Sequence, residues 1–109
     1  MRIDEMISAL SLRPLSLPEP EREIQGAYVG DLLSWVMGNG QADMVWVTIM
    51  TNINVVAVAS LIDFSAVILA EGCVPDDDVI AAAKQRGINL LVSERSSYEV
   101  CVALGGLSV

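Results

Sequence analysis

Between Met44 and Ile62 the chain runs for 19 residues without a charged side chain, and no other feature narrows its possible folds so far. The stretch is close to the length a membrane-spanning helix requires. Thr48, Thr51, Asn52, Asn54 and Ser60 interrupt it, however, and its first half is β-branched. It reads instead as a buried strand, Met44 to Met50, followed by a buried helix, Ile53 to Leu61, with Thr51 or Asn52 at the helix start. A continuous apolar strand with Trp46 inside it suits the centre of a sheet covered on both faces. The helix is apolar almost all the way round, which implies deep burial or a subunit interface.

The same alternation continues downstream. Ala66 to Ala70 is a short buried strand. Asp76, Asp77 and Asp78 place carboxylates at the positive end of a helix running from Val79 to Arg86, which closes with Lys84, Arg86 and the stop residue Gly87. Ile88 to Val92 is the last strand, and Ser96 or Ser97 opens a final helix through Tyr98, Val100, Cys101 and Leu104, ended by Gly105 and Gly106. Strand and helix taken in turn predict a largely parallel sheet with helices on its faces, a small three-layer α/β/α domain.

Upstream, Arg2 to Leu10 has the spacing of an amphipathic helix. Ser11 to Leu17 is extended, since Pro14 excludes a helix interior. Leu17 to Glu21, with Pro18 and Pro20, is a stiff acidic connector. Ile24 to Val29 is a second strand. Asp31 is the expected N-cap of a helix through Leu32, Leu33, Val36 and Met37, and Gly38-Asn39-Gly40 is its left-handed exit.

Length fits one domain, residues 1–109. Hydrophobic residues make up 53% of the chain and charged residues 18%, which leaves little polar material to cover a monomer. A self-association interface is the expectation. The net charge of −8, with six Lys and Arg against fourteen Asp and Glu, argues against nucleic acid, because Arg13, Arg22, Lys84, Arg86 and Arg95 form no basic stripe. A membrane span is not expected either. Met-Arg-Ile-Asp-Glu at the start carries acids where a signal peptide would not, so a cytoplasmic address is expected. Cys73 and Cys101 form no CxxC, no histidine exists to complete a zinc site, and both read as buried reduced thiols.

Catalytic groups are sparse. Without histidine no ordinary serine or cysteine triad forms. Gly38-Asn39-Gly40 lacks the third glycine of GxGxxG, and no GxxxxGK[ST] occurs. The Asp76–Asp78 run reads as a solvated helix cap, and no catalytic residue, metal ligand or cofactor is assigned. Carboxylate chemistry at Asp31, Asp43 or Asp63 is the weakest of the readings. Two places suit a ligand or partner. One is the loop of Gln25, Gly26, Tyr28, Gly30 and Asp31, small residues leading to a helix N-terminus that could receive an anion. The other is Thr48, Thr51, Asn52 and Asn54, where a strand end meets a helix start.

The run Glu21-Arg22-Glu23-Ile24-Gln25-Gly26-Ala27-Tyr28-Val29-Gly30-Asp31-Leu32-Leu33-Ser34 resembles the signature region of the DRTGG domain family. Val36-Met37-Gly38-Asn39, Trp46-Val47-Thr48 and Asn54-Val55-Val56-Ala57-Val58-Ala59 continue the resemblance. Gln25 stands where threonine is expected, and Ala27 replaces the second glycine. The resemblance implies a fold like the N-terminal domain of HPr kinase/phosphorylase, without the kinase chemistry. Relatives accompany CBS domains in regulated pyrophosphatases, and stand-alone versions are similar to those encoded near hydrogenase-type redox enzymes. It implies a homodimeric regulatory or assembly module with a protein partner. A sensor domain for an adenine nucleotide is the alternative.

Overall fold

A computed structural model describes residues 1–109. The chain forms α1 (Ile3–Leu10), β1 (Arg13–Ser16), β2 (Ala27–Val29), α2 (Leu33–Asn39), β3 (Val45–Thr48), α3 (Asn54–Ile62), β4 (Ala66–Leu69), α4 (Asp77–Gln85), β5 (Leu90–Val92) and α5 (Ser97–Gly106). The strands make one sheet in the order β1-β5-β4-β3-β2. β2, β3, β4 and β5 run parallel, and β1 is antiparallel to β5. The 19-residue charge-free run is therefore divided between a central strand and a nine-residue helix, and no helix is long and apolar enough to cross a membrane.

The sheet is covered on both faces, which explains why β3, β4 and β5 are buried at every position. Trp46, Val67, Leu69, Leu90 and Val92 face one layer, packed with Val36 of α2, Val55, Val56, Val58 and Ala59 of α3, and Val79 and Ala83 of α4. Val45, Val47, Ala66, Ile68 and Leu91 face the other, packed with Ile3, Met6 and Leu10 of α1 and Val100 and Leu104 of α5. Period-two side-chain alternation produces this division. The architecture is α/β/α, as the strand–helix alternation predicts.

Trp46 is the anchor of the first layer. Its ring lies 5.5 Å from that of Phe64, and its Nε1–H donates to the Gly30 carbonyl at 2.9 Å, so a buried indole keeps its one polar group satisfied. Gly40 is the glycine that packing requires. A Cβ there would lie 2.5 Å from Phe64 Cζ and 2.8 Å from the Val36 carbonyl oxygen. Its φ is −69°, so the expected left-handed exit of α2 is not formed; close approach, not handedness, calls for glycine.

Three further expectations change. β2 begins at Ala27 rather than Ile24, because Gly26 at φ +94° bends the chain out of extended geometry. α2 is capped by Leu32 without a side-chain bond, and Asp31 is not its cap. α3 is buried on one side only, with Leu61 exposed, so of the two readings for this helix deep burial does not hold. The acidic connector is not free: buried Asn89 donates from Nδ2 to the Glu19 and Ser65 carbonyls and accepts the Glu19 N–H.

Candidate functional site

The candidate residues separate into three places along β2 and β3. Gln25 and Gly26 stand at the amino end of β2, where the Gln25 N–H donates to the Asp43 carbonyl at 2.8 Å. Tyr28 sits in the strand, half-buried, its ring packed against the first core layer. Gly30 and Asp31 follow at the carboxyl end, beside Thr48.

There the structure joins the two places singled out in the sequence. One oxygen of Asp31 accepts the Thr48 hydroxyl at 2.7 Å and the Ile49 N–H at 3.1 Å. Thr48 Oγ1 also accepts the Met50 N–H at 3.3 Å. Asp31 thus stitches β2's exit to β3's exit, a structural task that a charge-assisted bond performs well. α2, which follows Asp31 in the chain, has seven residues only and takes no side-chain cap. Asn52 acts locally, its Oδ1 accepting the Asn54 N–H at 2.9 Å. Thr51 is half-buried and Asn54 exposed; neither is brought against Asp31 by a hydrogen bond.

The sheet has no reversal of strand order between β2 and β5, and α2, α3 and α4 all lie on one face. The crevice that forms where adjacent crossovers go to opposite faces is therefore not built beside Thr48. The expectation of a strand-end crevice there is corrected: the ends are closed by Asp31.

What the sequence reading missed lies on α5. An apolar groove of about 270 Å³ runs between α5 and β2, lined by Ala27, Tyr28, Val29, Val47, Cys101, Leu104, Gly105 and Val109. Val29 and, on the outer side of α5, Tyr98 and Val102 are exposed. Cys101 is free and half-buried rather than buried, as is Cys73, and partial burial pushes the Cys101 thiol up from its ordinary pKa. The signal was present in the sequence: Tyr98, Val100, Cys101, Val102, Ala103 and Leu104 put apolar side chains around most of α5, more than one core-facing stripe needs.

Charge gathers elsewhere. Arg22 donates to Asp43 Oδ1 at 2.9 Å and to the Asp63 carbonyl at 2.7 Å, and pairs with Glu19 and Asp63 carboxylates at 3.2 and 3.0 Å. Burial opposes its charge, but the three acids outweigh that and raise its pKa. Asp43 and Asp63, weighed above as carboxylates for chemistry, serve this clasp. Beside it, a shallow hollow of about 590 Å³ is walled by Pro18, Glu19, Pro20, Glu21 and Arg22 alone, the concave side of one bend. No cluster of three or more acidic or cysteine side chains is placed to hold a metal ion.

No protein-family model matches the chain, and no curated protein matches it. Among solved structures, it is similar to the CBS and DRTGG domains of the regulatory region of Clostridium perfringens pyrophosphatase, crystallised with the activator diadenosine tetraphosphate. The TM-score is 0.75 at 15% identity, over 94% of this chain and 45% of that one. The chain thus spans less than half the length of this neighbour, and the likeness is one of fold. In fold, this chain resembles that CBS- and DRTGG-containing regulatory region.

Proposed function

We propose that this chain is a non-catalytic regulatory or assembly module, a single domain over residues 1–109 that works as a homodimer. Apolar surface carries the reading. Tyr98, Val102 and Val29 are 77%, 56% and 51% exposed on a chain with only 18% charged residues, and surface of this kind marks contact sites. The side chains that could do acid–base work are otherwise engaged: Asp31 in a strand-end tie, Asp43 and Asp63 in the Arg22 clasp. The likeness to a regulatory region supports the same reading. Sedimentation of the purified chain in the micromolar range tests it. A dimer is expected; a monomer throughout that range contradicts it. The resemblance to DRTGG domains near hydrogenase-type enzymes supports a cytoplasmic redox-enzyme partner, which co-purification from the native host would recover.

A second reading has one observation in its favour. The similar pyrophosphatase region is complexed with diadenosine tetraphosphate, so the loop of Gly26 to Asp31 is read as a nucleotide sensor. A polyphosphate there would meet the Asp31 carboxylate, which is paired with no Lys or Arg, and this places the reading second. Ligand at a hundredfold its Kd stabilises a protein by about 2.7 kcal/mol. A matching rise in Tm with an adenine nucleotide supports the sensor, and no rise across a nucleotide panel removes it.

A further inference from the structure

β2 is the outermost strand of the sheet, and its outer edge carries no protection. The Gly26 carbonyl and the Gly30 N–H bond inward to Val45 and Val47 of β3. Backbone groups alternate in direction along a strand, so Tyr28 also turns inward, while the N–H and C=O groups of Ala27 and Val29 turn outward. Both residues are exposed. Natural edge strands are normally blunted by lysine, proline, a bulge or a covering element. Ala27, Tyr28 and Val29 supply neither lysine nor proline, and their pairing with β3 is unbroken. Beside this edge lies the open apolar groove under α5.

Resting on the homodimer reading above, we infer that the second copy docks here, its β2 pairing antiparallel with this β2 to join two sheets into one of ten strands. Three observations select a second copy as occupant. The outward groups of Ala27 and Val29 are self-complementary: a twofold axis at Tyr28 sets Ala27 opposite Val29 twice, both as hydrogen-bonded pairs. Charge then favours this face over others. Two chains each at −8 repel, and β2 with the Cys101–Gly105 part of α5 carries no Asp, Glu, Lys or Arg. The groove and the exposed Val29 and Val102 sit on the α5 side of the pairing, where small residues at Cys101 and Gly105 let the two helices draw close.

Sedimentation of Val29→Lys and Val29→Pro against wild type tests the pairing. Lysine adds like charge at the seam, and proline removes one outward N–H without touching the bonds to β3. Each is expected to weaken dimerisation by at least about tenfold, with circular dichroism unchanged, while Trp35→Lys on α2 leaves the dimer intact. A wild-type monomer would overturn the homodimer reading itself. A dimer that survives both Val29 variants, or that Trp35→Lys dissolves, would overturn this interface and leave that reading standing. Should both Val29 variants fail to fold, alkylation of wild-type Cys101 decides: its rate is expected to fall by at least about tenfold from low to high micromolar protein while that of Cys73 holds. Equal rates for Cys101 at both concentrations contradict the interface.

Discussion

β1 and β2 both border the sheet, and they are finished in opposite ways. β1 carries exposed Arg13 and Pro14, its register with β5 shifts between Pro14 and Ser16, and Ser16 Oγ is tied to the Ile88 carbonyl at 2.8 Å. Proline, charge and an irregular register are the devices by which natural sheets refuse further strands. β2 has none of them, and an apolar groove lies alongside it. A fold that closes one edge and leaves the other open has a direction in which it grows. Nothing in the connectivity demands the difference. It comes from which side chains stand on two short strands.

The comparison can be broken most severely from inside. Trp46→Ala removes the buried indole, its contact with Phe64 and the bond to the Gly30 carbonyl that fixes the end of β2. A loss of about 3–5 kcal/mol in chemical denaturation is expected, together with loss of the dimer, because the open edge is no longer held in place. A loss below about 1 kcal/mol would mean the β2 side is not organised by this residue.

Gly40→Ala acts on the same side through α2. Its methyl meets Phe64 and the Val36 carbonyl, and a destabilisation of about 1–3 kcal/mol is expected. Asn89→Ala works near the closed edge. It leaves the Glu19 N–H and the Ser65 carbonyl without this partner, while the Glu19 carbonyl keeps the Arg22 N–H, and it costs about 1–3 kcal/mol. Here the dimer should persist in sedimentation, and its loss would show that the two edges are coupled.

Ser96→Ala gives the smallest change, about 1 kcal/mol, through a lost helix cap. It also sharpens the pH dependence of the α5 side. Hydrogen bonds from the Ser96 backbone and hydroxyl, in that order, hold the Glu99 carboxyl below its ordinary pKa. A depressed carboxyl stabilises the fold above its unfolded pKa, and that contribution is lost as pH falls through the folded value. Removing the hydroxyl should therefore shrink the fall in stability across the acid range, read from denaturation midpoints at successive pH values.

Most of the layers were legible because apolar runs and turn signals are local. Met44 to Met50 and Ala66 to Ala70 announce strands covered on both faces, and Gly87 and Ser96 mark helix ends where helices do end. Direction was less accessible. Nothing in Ser11 to Leu17 reveals that β1 runs against β5, since that pairing is set by α1 packing on the face α5 shares. Site geometry was the least legible part. Asp31 reads as a cap from its neighbours, and its real partner Thr48 is 17 residues away. Arg22 gathers Asp43 and Asp63 across 21 and 41 residues. Such contacts belong to the assembled fold, and only the apolar excess of α5 left a trace in the sequence.

Amide hydrogen exchange along β2 tests the open edge most directly, since it resolves neighbouring residues with opposite roles. At low micromolar protein the Tyr28 amide should be slow and the Val29 amide fast; at high micromolar protein Val29 should slow markedly while Tyr28 hardly changes. A Val29 amide that exchanges equally fast at both concentrations, in a sample that sediments as a dimer, would contradict pairing through β2.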